Sequence, residues 1–162
     1  MEHMQGDGNG WVEGPNGQKM WGKHGAAGLF LQATHGGEPV VLMQHRAPWT
    51  AQGDTWGIPG GARDSHETAS QAALRETEEE CGIDGGEVDV EKELVTSGPA
   101  PSGWTYTTVL ARVRSGEPLE TTANEESVEL RWVPLKKLEE LALHPGLRAA
   151  LPDILRHTVS HD

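Results

Sequence analysis

Glu76, Glu79 and Glu80 stand at positions i, i+3 and i+4 within GGARDSHETASQAALRETEEECGI, the stretch from Gly60 to Ile83. In a helix, at about 100° per residue, these three carboxylates share one side. Arg75 lies four residues before Glu79 and can pair with it, while Glu78 points away. Three ionised carboxylates on one face repel one another, so something should neutralise them. Hard, oxygen-seeking divalent ions, Mg²⁺ or Mn²⁺, are the natural candidates. A solvated acidic helix face is the competing reading. It leaves three features unexplained: a Gly-Gly loop ahead of the helix, an arginine embedded among acids, and a glycine stop at a fixed spacing.

The elements that must position these groups can be read outward from them. Good helix formers without internal Gly or Pro predict a helix from Ser65 to Cys81 with Gly82 as its stop. Ser65 is the expected N-cap, with early acids complementing the helix dipole. Ala73, Leu74, Thr77 and Cys81 form a small or apolar stripe suited to packing on a sheet. Upstream, AAGLFLQAT and PVVLMQHR read as a strand pair across the turn-like HGGE. APWTAQGDTWGIPGG reads as loop. Downstream, EVDVEKELVTS, WTYTTVLARVR and SVELRWVPL read as strands, and LKKLEELAL and GLRAALPDILRHTV as closing helices. This order predicts an α/β or α+β sandwich. Residues 1–23 are polar and Gly-rich and read as an N-terminal arm with room for a short hairpin around EGPNGQK; residues 24–162 read as one domain.

Bulk properties narrow the partners. A formal net charge of −12 over 162 residues argues against a groove for a nucleic-acid polymer. A small anionic substrate remains compatible, provided divalent cations bridge carboxylate and phosphate. No apolar run approaches the ~20 residues a bilayer span requires, so no membrane partner is expected. The opening residues lack a signal-peptide core. Cys81 is the single cysteine, which excludes an intrachain disulfide and a cysteine-rich zinc site. A cytoplasmic location is expected.

The spacing in this stretch resembles the Nudix box, G-x5-E-x7-R-E-U-x-E-E-x-G-U, where U is a bulky aliphatic residue. The matching positions are Gly61, Glu67, Arg75, Glu76, Glu79, Glu80, Gly82 and Ile83, and WGIPGG from Trp56 to Gly61 resembles the family's usual lead-in. Thr77 departs from the pattern, standing where an aliphatic residue is usual. The resemblance implies a Nudix-type α/β/α sandwich with a mixed β-sheet over residues 24–162. It also implies a hydrolase that cleaves a nucleoside diphosphate linked to some group X, with Mg²⁺ as cofactor and Mn²⁺ able to substitute. Carried onto this chain, Glu79 and Glu80 are metal ligands, Glu76 is a ligand or the base, and the Gly60–Gly61 backbone brings a carbonyl to the cation, with Gly61 counted in the metal set. Glu67 helps hold metal or orients Arg75, and Arg75 orients a glutamate.

Family members often add a glutamate from elsewhere in the chain, and NEESVELRW offers Glu125, Glu126 and Glu129, with Glu126 the first choice. His45 or Arg46, at the end of a strand, could touch a phosphate. Trp49, Trp56 and Trp104 could stack on a base or simply pack. Trp132 is expected in the core, and Cys81 as a buried helix residue rather than a nucleophile. His24, His35, His66, His144, His157 and His161 show no tight ligand spacing. The preferred X makes the substrate a nucleoside triphosphate, oxidised or not, cleaved to the monophosphate and pyrophosphate. ADP-ribose or a nucleotide sugar is the alternative, for which Pro99 is a marker. A catalytically silent nucleotide-binding module is the remote one. The chain is expected to be a monomer or homodimer.

Overall fold

The computed structural model describes residues 7–14, 17, 19–50, 53–125 and 127–158. Two paired short strands, β1 (Trp11–Glu13) and β2 (Lys19–Trp21), precede the main sheet. That sheet contains β3 (Ala26–His35), β4 (Glu38–Arg46), β5 (Trp56–Gly57) and β6 (Gly60–Ala62). After helix α1 (Ala69–Cys81) it continues with β7 (Val88–Ser97), β8 (Tyr106–Val113) and β9 (Ser127–Pro134), and helix α2 (Pro145–Thr158) follows. The main path runs β5-β4-β3-β8-β7, with β6 against β3 and β9 against β4. β3 and β8 pair in parallel and the other pairings are antiparallel, so the sheet is mixed.

Strand alternation sorts the apolar residues onto two faces. Ala27, Leu29, Leu31, Val40, Leu42, Val109 and Ala111 meet Ala72, Ala73 and Cys81 of α1. Phe30, Val41, Met43, Leu110 and Val133 meet Leu147, Leu151 and Ile154 of α2. The result is the expected α/β/α layering with helices on both faces of the sheet. Among the described residues, no helix is long and apolar enough to cross a membrane.

Three local expectations need correction. Helix α1 begins at Ala69, not Ser65, because Thr68 caps it. The Thr68 hydroxyl accepts from Gln71 N and the Gln71 side chain accepts from Thr68 N, a reciprocal capping box, and the first turn carries no acid. The segment read as loop holds β5 and β6, which are too short and Gly-rich to show a strand pattern but find partners in β4 and β3. Finally, Leu135–Glu140 forms a 3₁₀ turn rather than an α-helix, entered from Pro134 without a side-chain cap. The glycine stop stands as expected: Gly82 adopts φ 74°, and its N–H donates to Glu78 O.

Candidate active site

Helix α1 presents its glutamates in graded exposure. Glu78 is exposed, Glu79 is largely so, Glu76 is half-buried and Glu80 is only 6% exposed. Thr77 is fully buried, and its hydroxyl donates to Ala73 O at 2.7 Å, which removes the cost of a polar atom at an apolar position. The helix therefore packs the side that carries Ala72, Ala73, Thr77, Glu80 and Cys81 against the sheet.

Arg75 gathers the first group of acids. Its Nε and Nη2 donate to the two oxygens of Glu67 at 2.6 and 2.9 Å, a two-pronged grip. Nη1 donates to Glu76 Oε2 at 3.0 Å and Nη2 to Ala62 O at 3.1 Å. Asp64 and Glu79 each lie 3.7 Å from the guanidinium. The Arg75 hydrogen bonds hold the Glu67 carboxyl below the usual glutamate range, and Glu67 in turn raises Arg75 above its ordinary value. Asp64, His66 and Glu67 also offer ligand atoms within 4.8 Å of one another. Glu67 is already committed to Arg75, however, and Asp64 to Gly8, whose N–H donates to Asp64 Oδ1 at 2.9 Å. Asp64 and Glu67 thus form a cradle for the arginine.

Glu76 and Glu80 form a second group with the opposite character. Burial raises the Glu76 carboxyl above the usual range; a hydrogen bond to Glu80 and the charge of Arg75 pull it down, and Glu79 pushes it up. Two carboxyl groups in hydrogen-bond reach share a proton unless a cation lies between them and lets both stay ionised. Glu80 Oε1 accepts from Gly60 N and from Gln44 Nε2, both at 3.3 Å. Gln44 also donates to Ser127 Oγ at 2.6 Å. The floor beneath this pair is glycine by necessity: a Cβ on Gly61 would stand 2.7 Å from the Glu76 carboxyl carbon, and one on Gly60 would stand 2.3 Å from Ala27 O. Oxygen donors that converge and are partly desolvated fit a hard divalent cation.

The structure thus brings Gly61, Arg75, Glu76, Glu79 and Glu80 together. His45 and Trp56 lie on the α2 side of the sheet. They stack at 4.7 Å, and Arg131 lies 4.9 Å from the Trp56 ring centre. Arg46 follows a bulge at the end of β4. Burial lowers the His144 pKa and the Arg46 charge adds to that; burial raises Tyr106, and there the Arg46 charge opposes it. Trp49 is exposed, whereas Trp104 is buried with its Nε1 donating to Trp21 O. Trp132 packs against the α1-side core. Glu129 forks with Arg131, Glu125 is exposed, and Glu126 lies outside the described residues. Cys81 is free and buried, its thiol pushed up to about 12 first by burial and then by the Glu80 charge.

Gln44, Ser127, Asp64 and Tyr106 are site neighbours that sequence reasoning missed. Gln44 had a usable signal: it is a polar residue in the apolar run PVVLMQHR, on the same strand face as Val40 and Leu42. Tyr106 had none. Its hydroxyl occupies the notch left by Gly28, where a Cβ would approach it to 2.1 Å, and the field of Glu80 adds to burial in raising its pKa.

Residues 22–154 match the NUDIX domain. A Mycobacterium tuberculosis protein provisionally named 8-oxo-dGTP diphosphatase 3 is 50% identical over 153 residues, which cover 92% of this chain and 70% of that protein. A Bifidobacterium longum nucleoside triphosphate pyrophosphatase/Nudix hydrolase fusion protein is 39% identical over 157 residues, 94% of this chain and 32% of the fusion. The crystal structure of RenU, a Nudix hydrolase from M. smegmatis, superposes with a TM-score of 0.88 at 47% identity, covering 96% of this chain and 98% of RenU.

Proposed function

The chain belongs to the Nudix family of hydrolases that act on phosphoric anhydrides, and we propose that it cleaves a nucleoside triphosphate, with oxidised purine forms such as 8-oxo-dGTP foremost, to the monophosphate and pyrophosphate. The similarity to the M. tuberculosis protein provisionally named 8-oxo-dGTP diphosphatase 3 supports the choice of substrate. Buried Glu80 and half-buried Glu76, within hydrogen-bond reach of each other and flanked by Glu79 and the Gly60–Gly61 strand, support the chemistry and are the observation that carries it.

In this reading Glu76, Glu79 and Glu80, with the Gly60–Gly61 backbone, hold Mg²⁺, for which Mn²⁺ can substitute. Bound there, the ion polarises phosphoryl oxygens and offsets their negative charge. Gln44 and Gly60 N fix the Glu80 carboxylate by donating to one of its oxygens. Arg75 fixes the face of Glu76 that it bonds. Glu76 is poised to accept the proton of the attacking water, because burial raises its affinity for one. The water oxygen forms the new P–O bond, the anhydride P–O bond breaks, and pyrophosphate leaves with that electron pair. We assign Glu126 as a supporting ligand or base, because Ser127, the next residue in the sequence, connects through Gln44 to Glu80. His45, Arg46 and Trp56 are assigned to the substrate side, with Arg46 toward phosphate. A nucleotide-pool substrate and the unpaired Cys81 both fit a cytoplasmic protein.

A substrate panel with Mg²⁺ and product identification tests this reading: canonical and 8-oxo dNTPs, ADP-ribose, nucleotide sugars and dinucleoside polyphosphates. Highest kcat/KM on 8-oxo-dGTP, with monophosphate and pyrophosphate as products, is the expected result. Preference for ADP-ribose or a nucleotide sugar would overturn the substrate assignment, and inertness across the panel would overturn the reaction.

A further inference from the structure

Asp7 and Gly8 precede the residues that match the family's domain, yet they sit directly on its acidic loop. Gly8 N donates to Asp64 Oδ1 at 2.9 Å in a buried bond, and Gly8 O accepts from Lys23 N at 2.7 Å. The Asp7 carboxylate accepts from Ser65 N at 2.7 Å and from the Ser65 hydroxyl. His24 adds a contact to Asp7 at 3.5 Å. The fit at Gly8 leaves no room for a side chain, because a Cβ there would stand 2.1 Å from Arg63 O. Farther along the arm, Ser102 Oγ donates to Glu13 O and Trp104 Nε1 donates to Trp21 O, so the β1–β2 pair is braced at both ends.

Asp64 connects this clamp to the chemistry. Its Oδ2 lies 3.7 Å from Arg75 Nη2, and its N–H donates to Glu67 Oε1 at 3.0 Å, the oxygen that also takes Arg75 Nη2. Arg75 in turn lies 3.0 Å from Glu76 and 3.7 Å from Glu79. A guanidinium in this position competes with a metal ion for the same two carboxylates. Held back by Asp64 and Glu67, it orients Glu76. Released from Asp64 and Glu67, its remaining donors would be free for Glu79 and would neutralise more of the face that the metal needs.

We propose that Asp7 and Gly8 are positioning residues for the metal site: they clamp Asp64 and Ser65, and through that loop they keep Arg75 forked on Glu67 with a single prong on Glu76, rather than drawn fully onto the cation face. The proposal rests on the reading of Glu76, Glu79 and Glu80 as the metal seat.

The test uses the full chain with Gly8→Ala, whose new methyl meets the Arg63 carbonyl, and separately Asp7→Ala, which removes both bonds to Ser65 at an exposed position. Binding of Mn²⁺ alone is read from the electron paramagnetic resonance signal of the free ion, alongside the Mg²⁺ dependence of turnover. Expected is a Kd for Mn²⁺ about tenfold weaker in each variant, the low end for partners outside the ligand set, with the half-saturating Mg²⁺ concentration raised by a similar factor. A purely structural brace would lower the melting temperature and leave the Kd of the folded protein unchanged, and that result overturns the proposal. If Gly8→Ala does not fold, Asp7→Ala decides alone by the same criterion. Failure of the unmodified protein to bind Mn²⁺ would instead remove the metal seat itself, so the two failures are distinguishable.

Discussion

Glu67 and Glu76 are the same residue type, both bonded to Arg75, yet their proton affinities shift in opposite directions. Glu67 receives two prongs of the guanidinium and a backbone N–H from Asp64, so its charge is matched and its pKa falls. Glu76 receives one prong, shares a hydrogen bond with Glu80 and has Glu79 nearby, so desolvation dominates and its pKa rises. The contrast separates acids that the fold consumes from acids it leaves for chemistry. Counting carboxylates would not make that distinction, because the Asp64–His66–Glu67 group clusters as tightly as metal ligands do.

The largest effect that could break this contrast comes from Glu80→Gln. Losing one essential electrostatic or acid–base group typically costs about 10²–10⁴-fold in rate, so turnover should fall by that order while the far-UV circular dichroism stays unchanged. Full activity in excess Mg²⁺ would move Glu80 out of the chemistry. Arg75→Lys should come next. Lysine keeps the charge but cannot grip Glu67 with two parallel bonds. We expect a stability loss of about 1.5–3 kcal/mol, the usual range for a hydrogen bond to a charged group, read from urea midpoints, together with reduced turnover. A variant as stable as the parent would show that the cradle is dispensable.

The smallest effects sharpen the contrast through pH. Glu67 has a depressed folded pKa, so its stabilising contribution is present above the ordinary value of 4.5 and is lost as pH falls from there through the folded value. Glu67→Gln should therefore destabilise at neutral pH, with the difference shrinking as pH drops below about 4.5. Glu76 has the opposite sign. Its contribution is present below the ordinary value of 4.5 and is lost as pH rises through the folded value. Metal-free Glu76→Gln should then melt higher than the parent at neutral pH, and the gain should vanish in acid. Parallel pH profiles for the two variants would erase the distinction.

Much of the site was legible because its chemistry is written in short-range spacing. Glu76, Glu79 and Glu80 on one face, Arg75 beside them and Gly82 as the stop all follow from helix geometry. The helix start was misread at Ser65, although Thr68-x-x-Gln71 is itself a capping-box signature. Strands β5 and β6 were illegible because they contain only 2 and 3 residues and take their strand form from pairing with β4 and β3. Gln44 could have been flagged by its alternation, but its contact with Glu80 spans 36 residues. The Asp7 and Gly8 contacts span 58 and 56 residues, and nothing in the local pattern of a polar arm announces its seat.

The most direct test of the central claim, that Glu76 and Glu80 are held together to receive a cation, is anomalous diffraction from crystals soaked in Mn²⁺. A peak bridged by the Glu76 and Glu80 carboxylates, with Arg75 still forked on Glu67, is the predicted result. A peak at Asp64, His66 and Glu67 instead, or none near α1, would contradict it.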